Sequence, residues 1–170
     1  MSARVGTPSR TGLAGCALSL VLVAAAPESP APAPTHQWKA VHDATFDYSA
    51  CYPADLFRPA GASLNVGGQD YVGRGGARLQ ISGLANRYGD SLAVTAQQTI
   101  PNGFGLKRTV TYTVVKPNWA VLSGTLPGGR SFYQRVIRKG KDFAFFSLSY
   151  PSNQSATYDR IVGRLGQCLR

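Results

Sequence analysis

The sequence has little of the side-chain chemistry on which most enzymes depend. Its two histidines are His36 and His42, and Glu28 is its only glutamate. No serine stands in a G-x-S-x-G or S-x-x-K pattern, and no histidine, cysteine and aspartate have metal-ligand spacing. These absences exclude the common hydrolase and zinc motifs. We therefore expect a non-catalytic protein with no metal site and no cofactor.

Aspartate is the acid that remains for acid–base chemistry. The alternative hypothesis is an enzyme whose site is built from some of four aspartates: Asp43, Asp47, Asp55 and Asp70. The glycine-rich run at 73–76 is not a phosphate loop, because Arg78 replaces the third glycine of G-x-G-x-x-G and no Lys-Ser/Thr pair follows. We interpret this run as a turn.

Negative charge is scarce: 18 lysines and arginines stand against 8 acidic residues, a formal net charge of +10. Such a surface attracts polyanions such as acidic lipid head groups, lipopolysaccharide, anionic glycans or extracellular DNA. No basic cluster interleaved with aromatic residues indicates a nucleic-acid groove. The densest basic segment predicts a polyanion-binding strand face, with a merely solvated surface as the alternative. Its residues are Arg130, Arg135, Arg138, Lys139 and Lys141.

Long apolar runs are also rare, and the one at residues 12–26 follows a basic head and precedes a Pro/Ala-rich stretch. It has about the length of a secretory h-region and is shorter than the ~20 residues of a membrane span. We predict a signal peptide at 1–26, a linker at 27–37 and a single domain at 38–170. The mature protein is expected to be periplasmic or secreted and soluble, without a transmembrane span, with an unidentified envelope protein as one candidate partner.

The chain has only three cysteines. Cys16 lies inside the apolar run, where Leu13–Cys16 spells a lipobox, so a lipoprotein anchored through Cys16 is the alternative to a cleaved signal. Cleavage is favoured because a lipobox should end the apolar run, not begin it. Removing the signal leaves Cys51 and Cys168, which an oxidising compartment predicts to form a structural disulfide. They lack the Cys-x-x-Cys spacing of a redox pair.

Alternating apolar and polar residues predict strands through most of the domain. The first covers 45–52, and a short extended piece follows at 56–59. Glycine-rich turn chemistry predicts a hairpin of 69–73 with 77–83. From Lys107 onward, hairpin-length separators predict an antiparallel meander of four strands: 108–116, 119–126, 130–139 and 142–150.

Two helices complete the pattern. Asp90 or Ser91 can cap the first, which runs toward Ile100 and is stopped by residues 101–103. Apolar residues recur at helical spacing from Tyr158 to Leu169 and predict a closing helix, with an N-cap at Ser152, Asn153 or Ser155. Trp119, Tyr133, Tyr150 and Tyr158 are expected to line the core. The fold class is thus α+β, an antiparallel meander flanked by helices.

Residues 52–57, Tyr-Pro-Ala-Asp-Leu-Phe, resemble a family of exported bacterial proteins of unknown function whose fold is similar to the PsbP/Mog1 type. Further segments fit the same order along the chain: 119–124, 132–135, 150–151 and 158–162. The resemblance implies a layered sheet flanked by helices, without an enzyme activity or cofactor. PsbP-type domains act as docking or assembly modules, so it implies a binding role. Relatives carry an acidic turn where this chain has Gly73–Gly76, so no cation site is carried over to that turn.

Overall fold

The computed structural model describes residues 35–62, 68–99 and 107–170. The predicted signal peptide with Cys16, the linker up to residue 34 and the predicted helix stop at 100–103 lie outside these ranges. The last two linker residues contact the domain, because His36 Nδ1 lies 2.7 Å from Asp55 Oδ2 and the Gln37 N–H donates to Asp55 Oδ1 at 3.0 Å. No helix within the described ranges is long and apolar enough to cross a membrane.

Nine strands and two α-helices make up the described domain. Their bounds are β1 Trp38–Asp43, β2 Tyr48–Pro53, β3 Phe57–Ala62, β4 Gly68–Gly73, β5 Arg78–Leu84, α1 Leu92–Gln98, β6 Thr109–Val115, β7 Trp119–Leu126, β8 Arg130–Lys139, β9 Asp142–Pro151 and α2 Ser155–Cys168. Two short 3₁₀ turns precede β5 and α2. Strands β3 to β9 form one seven-stranded antiparallel sheet in the order β3-β4-β5-β9-β8-β7-β6. The α+β class is confirmed.

The predicted meander is present, and its turns explain its register. Strands β6 to β9 pair with their chain neighbours. Gly128, Gly129 and Gly140 have φ values of 77°, 67° and 59°, in the left-handed region that the tight β7–β8 and β8–β9 connections require. The predicted hairpin of β4 with β5 is likewise confirmed. Its β5 strand joins the meander by pairing with β9.

The N-terminal part differs from the sequence prediction. The strand predicted at 45–52 starts later, at Tyr48, and is the second strand, because β1 precedes it and pairs with it as a separate two-stranded sheet. The turn between them begins where Asp43 Oδ1 accepts the Phe46 N–H at 2.9 Å, and Asp47 has a φ of 48°. The short piece predicted at 56–59 is a full edge strand, β3.

The sheet is covered on both faces. On one face, α2 and the β1–β2 hairpin enclose a cluster that includes Phe57, Leu79, Phe146, Tyr158 and Leu165. On the other face, α1 covers a smaller cluster whose members include Leu92, Ala96, Leu122, Phe132 and Phe145. We call these the α2 face and the α1 face. Because successive strand residues alternate between the faces, Phe145 and Phe146 belong to different clusters.

The N-cap of α1 agrees with the sequence prediction, and the N-cap of α2 does not. Ser91 caps α1 as predicted, since its Oγ accepts the Val94 N–H at 3.3 Å. The N-cap prediction for α2 is wrong: Gln154 holds that position and no side chain caps it. A 3₁₀ turn at Ser152–Gln154 leads into the helix instead, and the Ser152 hydroxyl lies 2.9 Å from the Ser131 hydroxyl.

Tyrosines dominate the α2 face of the core. Burial raises the pKa of Tyr48 to about 12, with the charge of Asp43 adding to the effect. Burial also raises the pKa of Tyr71, with Tyr52 and Tyr48 contributing. The pKa of Tyr150 is raised by burial and by the hydrogen bond it donates to Asp159. This part of the core therefore depends on tyrosines that stay protonated.

We expect these tyrosines to leave the free energy of unfolding unchanged from neutral pH to about pH 9 and to lower it as the pH rises from about 10 toward 12. A folded-state pKa above that of the unfolded chain gives stabilisation that is complete below the unfolded pKa and is lost as the pH passes the folded one. Urea unfolding at a series of pH values, with tyrosinate absorbance recorded on the folded protein, measures both quantities. Native tyrosines that all ionise together near pH 10 would contradict this expectation.

Candidate functional site

Cys51 and Cys168 form the predicted disulfide, with their Cα atoms 5.5 Å apart and 117 positions apart in the chain. The bridge joins β2 to the last turn of α2. Beside it, Ser49 and Arg170 exchange two backbone hydrogen bonds of 2.9 and 3.0 Å. The end of the chain is therefore fixed to the β1–β2 hairpin, and the pair is structural in its setting.

The five predicted polyanion-binding residues do not share one face. Strand alternation places Arg130 and Arg138 on the α1 face and Arg135 and Lys139 on the α2 face, while Lys141 lies exposed in the β8–β9 turn. Arg130 donates to Gly76 O at 2.9 Å and Ser149 Oγ at 3.1 Å. The structure therefore divides the predicted basic strand face between two sides of the sheet.

The remaining basic side chains of this group have different environments. Arg138 lies over the Phe143 ring at 5.2 Å from its centroid and is exposed. Lys139 Nζ lies 3.5 Å from Asp47 Oδ2, a carboxylate that is largely open to solvent. An exposed pair of this kind contributes little to stability. Arg135 differs from all of these.

Arg135 belongs to an aromatic and basic surface on the α2 face, beside α2. Its guanidinium lies over the Trp119 ring, 4.7 Å from the centroid. Tyr133, two residues earlier on β8, stacks on Phe146 with centroids 5.8 Å apart. Tyr112, on β6, has 54% of its surface exposed. We call these four residues, Tyr112, Trp119, Tyr133 and Arg135, the Arg135 surface.

The strand register brings the members of the Arg135 surface together, since Tyr112 lies opposite Ser123 on β7 and Ser123 lies opposite Tyr133 on β8. Burial raises the pKa of Tyr133, the charge of Arg135 lowers it, and Tyr112 raises it again. The helix passes alongside, since a Cβ at Gly166 would lie 3.5 Å from Arg135 Cδ. The neighbours of Arg135 across the ladder are the buried residues Val121 and Phe146. A cation therefore stands within an otherwise apolar row.

Arg135 is a costly residue at this position. Its Nε atom is buried and has no hydrogen-bond partner in the described part of the chain. No described carboxylate forms an ion pair with it. A buried polar group without a partner costs about 1–3 kcal/mol, and the stacking of the guanidinium on Trp119 offsets about 0.5–2 kcal/mol of that cost. The unpartnered Nε atom distinguishes Arg135 from Arg130 and Arg138 on the same strand.

The sequence analysis considered Trp119, Tyr133 and Arg135 separately and did not predict that they form one surface. Tyr150 and Tyr158 are buried in the core as predicted, whereas Trp119 and Tyr133 are only half-buried at its margin. Arg135 was grouped with basic neighbours in the sequence. The usable signal was strand alternation, which separates Arg135 from Arg138 and places it on the same face as Tyr133.

The four candidate catalytic aspartates have separate roles. Asp43 accepts a backbone hydrogen bond in the β1–β2 turn, Asp47 pairs with Lys139, and Asp70 lies on β4 opposite Gln80. Asp55 lines a cleft of about 430 Å³, together with Arg58 and Arg74. In the described ranges, no three histidine, cysteine, aspartate or glutamate side chains are grouped as metal ligands.

Asp55 is held as a carboxylate. Partial burial acts to raise its pKa, but hydrogen bonds from His36 and from the Gln37 and Asp55 N–H groups, together with the charge of His36, lower the pKa below its ordinary value. A general acid needs the opposite shift. Asp55 is also the one carboxyl group among the described residues that line this cleft, so the acid–base pair of a hydrolytic site is not formed by them.

Comparison with known proteins gives a fold and no sequence relative. No family model matches the chain, and no curated protein matches it by sequence. The solution structure of cyanobacterial PsbP (CyanoP) from Synechocystis sp. PCC 6803 is similar, with a TM-score of 0.55 and 12% identity. The match covers 85% of this chain and 98% of that one. The domain therefore has a PsbP-like fold, as the sequence resemblance implied.

Proposed function

We propose that the protein is an exported, non-catalytic binding module that holds an anionic group of its partner on the Arg135 surface. The observation that carries the proposal is the guanidinium of Arg135, stacked on Trp119 with a buried Nε that has no partner among the described residues. A sulfate, phosphate or carboxylate on its terminal nitrogens would form charge-assisted hydrogen bonds with the guanidinium. Trp119, Tyr133 and Tyr112 would pack against the rest of the ligand.

Export is supported by the N-terminal pattern and by the disulfide. A basic head followed by an apolar run of secretory length is typical of a signal peptide. A bridge between Cys51 and Cys168 belongs in an oxidising compartment. The periplasm or the exterior is the location we infer, with a lipid anchor on Cys16 as the alternative.

Polyanions are the ligand class we favour, anionic glycans or acidic lipids first among them. The net charge of +10 includes Arg4 and Arg10 of the predicted signal peptide, and the +8 that remains without them attracts polyanions over a distance. Arg130, Arg138, Lys139 and Lys141 contribute to that attraction, but they lie on the other face, in an ion pair or in a turn. The proposal therefore assigns the close contact to Arg135.

Heparin is a suitable probe, because Arg138 provides a matched control for Arg135. Both arginines lie on β8 and both stack on an aromatic ring, but they occupy opposite faces. We expect Arg135→Met to weaken heparin affinity about tenfold or more, the value of a lost charge-assisted hydrogen bond, and Arg138→Met to weaken it much less. Salt elution from immobilised heparin and titration calorimetry measure this difference.

Stability separates a binding role from a structural one. Arg135 is half-buried, and its Nε atom has no partner among the described residues, so an apolar side chain of similar length should cost little stability. Arg135→Met should therefore unfold at the same or a higher urea concentration. Equal losses of heparin affinity in Arg135→Met and Arg138→Met would mean that the whole basic surface attracts heparin. The Arg135 surface would then not be the binding site. Wild-type protein that does not bind heparin at low salt would remove the polyanion class altogether.

A further inference from the structure

The two edges of the seven-stranded sheet are built differently. At one edge, β3 carries Arg58, Pro59 and Gly61 and has an irregular register between the last two, all features that discourage further pairing. At the other edge, β6 reads Thr-Val-Thr-Tyr-Thr-Val-Val, with no charge, proline or glycine. One bulge, between Val110 and Tyr112, is its only such feature in the described structure.

The apolar side chains of β6 are open to solvent. Val110, Tyr112 and Val115 are 40%, 54% and 46% exposed. Residues of this composition have the strongest preference for strands. An uncharged edge of this kind is a template for another strand unless a partner covers it.

Its backbone is also available for pairing. The Lys116 N–H donates to Trp119 O at 2.8 Å, which makes these two residues the hydrogen-bonded pair next to the turn. Hydrogen-bonded and non-hydrogen-bonded pairs alternate along an antiparallel ladder. The N–H and C=O groups of Thr113 and Val115 therefore point away from β7, where no described strand pairs with them.

We propose that β6 pairs with β6 of a second copy of this chain about a two-fold axis at Thr113. In this register Thr113 lies opposite its own copy as a hydrogen-bonded pair, and Tyr112 lies opposite Val114 of the other copy on the α2 face. Thr–Thr and aromatic–β-branched cross-strand pairs are both stabilising. Lys116 then lies opposite Val110, so no like charges are opposed.

Other registers are less favourable. An axis at Tyr112 would place Lys116 opposite Arg108, so like charges would face each other. It would also put Tyr112 at the centre, although the N–H and C=O groups of Tyr112 face β7 and cannot pair with a second copy. A two-fold interface must be self-complementary, and the axis at Thr113 meets that condition with uncharged pairs alone. The two sheets then become one, and the Arg135 surfaces of both copies lie on the same side. This inference does not depend on the proposed function.

Charge exchange at position 113 tests both the dimer and its axis. All chains carry Cys16→Ser, so that the third cysteine cannot link two molecules. We expect wild-type association in sedimentation equilibrium, weakened at least about tenfold in Thr113→Lys and in Thr113→Glu, because each places like charges opposite each other. An equimolar mixture of the two variants should associate again, since lysine then faces glutamate.

Salt dependence provides a second measurement. Two copies that are both strongly basic repel each other, so screening should strengthen the dimer as ionic strength rises. An acidic peptide that paired with β6 would instead bind more weakly as the ionic strength rises, because salt screens the attraction between opposite charges. A wild-type chain that stays monomeric, an unchanged dimer in either charged variant, or a mixture that fails to associate would overturn the proposal. Thermal unfolding of each variant verifies that the single exposed substitution leaves the fold intact.

Discussion

Replacing Cys51 and Cys168 together by serine should lower the free energy of unfolding by about 4–5 kcal/mol. The bridge spans 117 positions, most of the described chain, and cross-links over such distances restrict the unfolded ensemble strongly. Leu169, next to the bridge, is 3% exposed and packs in the α2-face core, so the released terminus also loses apolar contacts. Urea unfolding of both proteins in a Cys16→Ser background measures the difference.

The control is reduction of the parent protein. Dithiothreitol should lower its stability to that of the double-serine variant, since both treatments remove the same cross-link. The backbone bonds between Ser49 and Arg170 remain available in either case, so the folded structure should persist with α2 less firmly attached. A loss below about 1 kcal/mol would mean that the unfolded chain is already compact enough for the bridge to constrain little.

Local chemistry was sufficient to predict the meander. Strands β6 to β9 follow from alternating residues separated by short turns of proline, asparagine and glycine, a signal contained within about ten residues. The closing helix and the Ser91 cap are equally local. The disulfide required one further step, the inference of an oxidising compartment from residues 12–26.

Features that depend on distant parts of the chain were not predicted. The pairing of β5 with β9 joins residues such as Arg78 and Ser149, and no local pattern indicates that register. β1 is a six-residue strand with weak alternation and with half of its residues exposed, and it forms because β2 pairs with it. The Arg135 surface likewise combines residues from β6, β7 and β8, so its existence follows from the register and not from any one segment.

Phe146→Ala should lower the free energy of unfolding by about 3–5 kcal/mol, the usual cost of removing a fully buried phenylalanine. Phe146 is 1% exposed, lies opposite Ile81 and Arg135 in the ladder, and stacks on Tyr133. Urea unfolding measures the change. Tyr88→Ala is the control for a solvent-exposed aromatic, since Tyr88 is 89% exposed and its loss should change stability by less than about 0.5 kcal/mol.

Phe145→Ala turns this stability measurement into a test of the site. Phe145 is 0% exposed and lies on the α1 face, so its removal should cost the same 3–5 kcal/mol. Only Phe146, however, supports Tyr133 and lies beside Arg135. At temperatures where both variants remain folded, heparin affinity should therefore fall in Phe146→Ala and not in Phe145→Ala. Equal affinities would mean that the α2 face does not hold the ligand, whatever the two variants lose in stability.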